Sequence, residues 1–181
     1  MVLDKSHLFR AYDVRGVFGN EITPEMMFHI GIAVGKIGKK DFSDSCHVYV
    51  GYDIRQTSQL LAFSFVSGLT SQGIKVTYSN TSFPFGVVMY SGLQSNADFT
   101  AFITASHLPA DWNGIKLYYG DGVGFAESKI IEIRDEFLSL SKQDIPINAW
   151  NSIQKITVQQ YFDAYVSYLK KNLEMVVSIY F

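Results

Sequence analysis

Short runs of β-forming residues alternate with helix-length segments along this chain, and that alternation constrains its fold more than any other feature. His47-Val48-Tyr49-Val50-Gly51, Ile74 to Tyr78 and Ala97 to Ile103 are brief, apolar and rich in β-branched or aromatic residues, as buried strands are. Between them, Ser58 to Ser71 reads as a helix ended by Gly73, and Phe85 to Gly92 as a helix begun near Pro84. A helix also precedes the first of these strands. Thr23 is placed to cap it, Pro24 suits its first position, and Met26, Met27, Ile30, Ala33, Val34 and Ile37 recur at helical spacing. The order β-α-β-α-β predicts an α/β class fold, a three-layer α/β/α domain around a mixed, mostly parallel sheet. Ile115 to Tyr119 is expected as a further strand bracketed by turns at Asn113-Gly114 and Gly120-Asp121-Gly122, and Glu127 to Leu140 as a closing helix.

Beyond Leu140 the pattern changes. Ser141 to about Thr157 reads as a linker, and Val158 to Leu173 as a helix whose Tyr161, Phe162, Tyr165 and Tyr168 form a packing stripe. Met175 to Phe181 reads as a buried strand. A terminal apolar strand with nothing after it would leave an open edge, so the chain is expected to be the front part of something longer. The expected division is one domain over residues 1–150, with residues 151–181 carrying the linker and the first helix and strand of a second.

Composition excludes several functions. Hydrophobic residues make up 48% of the 181, so a sizeable core is expected. Fifteen Lys and Arg against 17 Asp and Glu give a formal charge of −2, which leaves no basic field for nucleic acid and no polybasic membrane patch. Cys46 stands alone, so no internal disulfide forms. The first residues lack the apolar core of a signal peptide and no run is long enough to span a bilayer. A cytoplasmic location follows as the expectation, with a small molecule or another protein as partner.

The chemistry concentrates in Thr104-Ala105-Ser106-His107, followed by Pro109 and Asn113-Gly114-Ile115-Lys116. Ser106 lies just past a strand's carboxyl end, where open α/β sheets place their ligands. A hydroxyl flanked by an imidazole and a lysine suits phosphate chemistry. Serine is a poor nucleophile until a base takes its proton, and His107 and Lys116 are the neighbours able to do so. A serine-hydrolase elbow would need glycines where Thr104 and Leu108 stand, which argues against that class. Asp53 and Arg55 read as a structural pair after a strand. Gly31 and Gly35, one helical turn apart, suggest close packing. His7, His29 and His47 show no metal-ligand spacing.

Three segments in order, Phe9-Arg10-Ala11-Tyr12-Asp13-Val14-Arg15-Gly16, Val50-Gly51-Tyr52-Asp53-Ile54-Arg55, and Thr104-Ala105-Ser106-His107-Leu108-Pro109 with Asn113-Gly114-Ile115-Lys116, resemble the first domain of the α-D-phosphohexomutases. The resemblance runs from about Phe9 to Leu140. It implies a four-domain enzyme that interconverts hexose 1-phosphate and hexose 6-phosphate through a phosphoserine and a hexose 1,6-bisphosphate, which also serves as activator. It further implies that Ser106 carries the phosphoryl group, that Arg15 and Lys116 flank it with His107 beside it, and that Mg²⁺ bridges its oxygen to an aspartate-rich loop of the second domain. Such a loop is not found here, since Tyr119-Gly120-Asp121-Gly122-Val123-Gly124 offers a single carboxylate. The implied partners are a hexose phosphate and the missing C-terminal domains, and the chain alone is expected to be inactive as a mutase. Leu108 departs from the family, which most often has asparagine there, and Tyr52 stands where arginine is common in a position that varies among members. The alternative is a shortened, non-catalytic relative that binds a sugar phosphate or a protein.

Overall fold

A computed structural model describes residues 5–140, 156–158 and 161–180. Six strands form one mixed sheet: β1 (Val14–Val17), β2 (His47–Tyr52), β3 (Lys75–Tyr78), β4 (Phe99–Ile103), β5 (Trp112–Tyr119) and β6 (Ile156–Val158). Their spatial order is β1-β5-β4-β2-β3-β6. β4, β2, β3 and β6 run parallel, while β5 is antiparallel to both β4 and β1.

Helices lie on both faces, giving the three expected layers. α1 (Pro24–Phe42), α2 (Ser58–Ser71) and α4 (Glu127–Ser139) enclose the larger core with Val48, Val50, Phe99, Ala101, Ile103, Ile115 and Leu117 of the sheet. α3 (Phe85–Gln94) covers the opposite face, where Tyr49, Val88, Ala97 and Phe102 are buried together. α5 (Phe162–Tyr180) packs on α3: Phe162 stacks on Phe83 with centroids 5.8 Å apart, and Tyr165 and Tyr168 meet Tyr90 at 5.5 and 5.2 Å. The aromatic stripe read from the sequence is therefore a packing surface.

Local chemistry sets the helix limits. Thr23 caps α1 by accepting the Met26 amide at 3.1 Å, with Pro24 at the first position. Gly73 follows α2 with φ +74°, the left-handed stop its sequence suggested. α1 and α2 cross at Gly31 and Gly68. A Cβ on Gly31 would overlap the Phe65 carbonyl oxygen, and one on Gly68 the Phe28 carbonyl oxygen. The small residues of α1 serve close packing.

Three expectations are corrected. Asn113-Gly114 is not a turn but the second and third residues of β5. The Asn113 side chain is fully buried and donates to Thr57 Oγ1 and Ser58 Oγ at 2.8 and 2.9 Å, so burial overrides its turn preference. Gly114 lets β1 approach, since a Cβ there would overlap the Val14 carbonyl oxygen. Met175 to Tyr180 is helix, not strand. A helix already propagating costs little to extend, and Tyr165, Leu169, Leu173, Val176 and Tyr180 keep the three- and four-residue spacing. Ile156–Val158, assigned to the linker and the start of a helix, is the strand β6, and α5 begins at Phe162. Residues 141–155 of the expected linker lie outside the described residues.

Candidate functional site

β2, β3 and β4 end on the same edge of the sheet. The β2-to-β3 connection crosses one face through α2 and the β3-to-β4 connection crosses the other through α3. The carboxyl ends of adjacent β2 and β4 therefore flank the crevice where such sheets bind ligands. Asp53 follows β2 there, and Thr104 to Ser106 follow β4.

Ser106 is exposed and sits at φ +59°, a left-handed conformation that costs an ordinary residue energy and persists only when its surroundings impose it. Those surroundings are specific. The Ser106 amide donates to Thr104 Oγ1 at 2.8 Å, and Thr104 Oγ1 donates to Asp53 Oδ2 at 2.7 Å. Asp53 Oδ1 accepts from Ser58 Oγ at 2.6 Å and from the Arg55 amide at 3.0 Å. Arg55 completes the frame. Its Nη2 donates to the carbonyls of Ser106 and Leu108 at 2.9 and 2.7 Å, and its Nη1 to those of Pro109 and Trp112 at 2.6 and 3.1 Å. Nε pairs with Asp53 Oδ2 at 3.2 Å, and both side chains are mostly buried, at 12% and 18% exposure.

The expected Asp53–Arg55 pair is present, but it is only part of what Arg55 does. One guanidinium gathers four carbonyls of the serine loop, using the fork geometry that distinguishes arginine from lysine. Acceptors on the backbone leave no trace in side-chain identity, so the sequence offered only the partner Asp53 as a signal.

Ser106, His107 and Lys116 line one cleft of about 710 Å³ together with Asp53, Ile54, Phe83, Pro84, Phe85, Phe102, Thr104 and Tyr118. His107 Nδ1 lies 3.4 Å from Ser106 Oγ, a long contact that leaves the hydroxyl free to turn outward. Lys116 is opposite Phe102 across β5 and β4, on the face away from the larger core. Arg15 lies on the same face, paired in register with Gly114. Its guanidinium is engaged by Asp13 through Nε at 2.9 Å and Nη2 at 2.5 Å, so it closes its own loop, and Arg15 is not among the residues lining the cleft.

Two titratable groups away from the cleft are packed in the core. His47 is buried with Nε2 2.8 Å from Thr77 Oγ1, and burial, followed by the charge of Lys75, holds its pKa below the ordinary imidazole value. Burial also pushes the Cys46 thiol up to about 12, so it is inert at neutral pH. Among the described residues no group of three or more His, Cys, Asp or Glu is gathered to hold a metal ion, and no helix is long and apolar enough to cross a membrane.

Residues 6–144 match the family described as phosphoglucomutase/phosphomannomutase, alpha/beta/alpha domain I. A phosphoglucomutase/phosphomannomutase of Thermococcus kodakarensis is 32% identical over 168 residues, covering 93% of this chain and 36% of that protein. A phosphoglucosamine mutase of Lactococcus lactis is 38% identical over 136 residues, covering 72% of this chain and 28% of its own length. The chain thus spans about a third of the curated relatives it matches. In fold it superposes on the crystal structure of a phosphoglucomutase/phosphomannomutase family protein from Burkholderia thailandensis with a TM-score of 0.73, at 22% identity and covering 91% of this chain and 35% of that one.

Proposed function

The chain belongs to the phosphoglucomutase/phosphomannomutase family, and from that premise we propose that Ser106 accepts and returns a phosphoryl group as hexose 1-phosphate and hexose 6-phosphate are interconverted. The observation that carries the reading is the exposed, left-handed Ser106 on the rim of a cleft it shares with His107 and Lys116.

In the accepting step, Ser106 Oγ attacks phosphorus while the bond from phosphorus to the sugar oxygen breaks. The Ser106 proton passes to a base and the departing sugar oxygen takes one up. His107, beside Oγ, and Lys116, in the same cleft, are the groups for these proton movements. Phosphoryl transfer demands positioning and neutralisation of spreading negative charge more than covalent help. Lys116 supplies a point charge. Arg15 holds Asp13 through Nε and Nη2, leaving Nη1 as the group to meet a phosphate oxygen.

Mg²⁺ and a hexose 1,6-bisphosphate belong to the proposal through the family alone. Among the described residues no carboxylate cluster fits the ion, so the contribution here would be one oxygen of a phosphorylated Ser106. The division into a phosphoserine domain over residues 1–150 and a second domain opening in 151–181, a cytoplasmic location and the need for further domains for turnover belong to the same proposal.

Intact-mass measurement after incubation with glucose 1,6-bisphosphate and Mg²⁺ tests it. In the complete protein, with the further domains that turnover needs, one phosphoryl group is expected on the wild type and none on Ser106→Ala. Phosphate that never appears, or that persists on Ser106→Ala, overturns the assignment; binding of hexose phosphate without phosphorylation would favour the non-catalytic binding module.

A further inference from the structure

Among the described residues, helices cover the two faces of the sheet unequally. α1, α2 and α4 close over the first, whereas α3 lies on β2 and β4 of the second and leaves the β5–β1 end bare of helix among the described residues. Period-two alternation puts Phe102 of β4 and Lys116 and Tyr118 of β5 on that second face.

At the border of the bare region stands Phe85, the first residue of α3. It is 47% exposed, so burial in the core does not account for an aromatic side chain there. Nor does helix capping, since Pro84 before it makes no side-chain cap. Its ring lies 5.5 Å from Tyr118 and 5.8 Å from Phe102, tilted by 53° and 52°. Tyr118 is only half-buried. These rings form an aromatic wall in the cleft that also contains Ser106, His107 and Lys116.

We propose that Phe85 and Tyr118 are a platform for the C–H face of a hexose ring, lying against it while the sugar's phosphate meets Lys116 and Ser106. The inference rests on the function proposed above and assigns the sugar-contacting residues of that site. A pyranose carries its hydroxyls around its edge and presents apolar C–H groups on its faces. Such a ligand needs one apolar wall and a few convergent polar groups, and this cleft has both. The polar groups are complementary: Lys116 brings a positive charge and His107 a ring nitrogen towards a phosphate, and the one carboxylate among the described residues of the cleft, Asp53, is already occupied by Arg55, Ser58 and Thr104. An aromatic ring also excludes water from the sugar face without needing a hydrogen-bond partner of its own.

Saturation-transfer NMR on the chain with glucose 6-phosphate tests the platform. Irradiating the aromatic protons is expected to transfer signal to the sugar ring protons. Phe85→Ala and Phe85→Leu are both expected to weaken that transfer, leaving only the part that Tyr118 passes on, and to weaken glucose 6-phosphate binding about tenfold, while inorganic phosphate binding, read by its ³¹P shift, stays unchanged. Phe85→Leu keeps an apolar contact with Phe102, and the unchanged phosphate arm reports a folded site. Phe85→Trp should restore the transfer. Absence of transfer in the wild type, or transfer equal in wild type and Phe85→Leu, overturns the proposal. The readout is independent of Ser106 phosphorylation: Phe85-dependent transfer, together with a complete protein whose Ser106 never takes phosphate, would sustain the platform and remove the mutase reading.

Discussion

Arg55 sets the geometry of the candidate site without lining its cleft. Four loop carbonyls and Asp53 depend on it, so Arg55→Met strands those acceptors and leaves a carboxylate without its charge partner. We expect a loss of about 3 kcal/mol, the scale of breaking a mostly buried pair, read as a lower urea midpoint. The amides of Ser106 and Leu108 should exchange faster in the same variant. His47 gives the fold a pH dependence. Its folded pKa is held below the ordinary 6.5, so the unfolded chain takes up the proton first as pH falls. The associated stability is therefore complete above about pH 6.5 and is lost as pH drops through the depressed folded value. Urea midpoints measured from pH 7.5 to 5 should decline in the wild type and decline less in His47→Gln.

The strands and helices were legible where periodicity was long or clean. β2, β3, β4 and α1 to α4 fall close to their sequence limits, because an apolar run between turn signals has few other places to go. β1 was not read as a strand, being four residues that include an arginine and a glycine at the sheet's edge. Asn113-Gly114 was misplaced because its strand conformation depends on Thr57 and Ser58, 55 or more residues away in sequence. Met175 to Tyr180 looked extended because Val176, Val177 and Ile179 favour strands locally, a preference that the helix begun at Phe162 overrides. The close crossing of α1 and α2, by contrast, was foreshadowed by the spacing of Gly31 and Gly35, and its consequence is sharp. Gly31→Ala or Gly68→Ala must push two backbones apart, and each is expected to cost about 2 kcal/mol, checked by chemical denaturation.

For the whole molecule, Ser106, His107 and Lys116 could be read from the chain because one short segment carries all three. The frame that aims them could not, because it comes from the far end of β2, and neither could the aromatic wall, which needs α3 to be laid against β4 and β5. The distance along the chain between frame and loop has its own outcome. Arg55 and its acceptors at Ser106 and Trp112 are 51 and 57 residues apart, with α2, β3 and α3 intervening. During synthesis, the serine segment can take its strained shape only after β4 has docked beside β2 and Trp112 has emerged. A half-made chain therefore presents Ser106 as an ordinary flexible serine, and its left-handed loop comes into being together with the docked strands, so that the site itself reports whether the surrounding topology was assembled correctly.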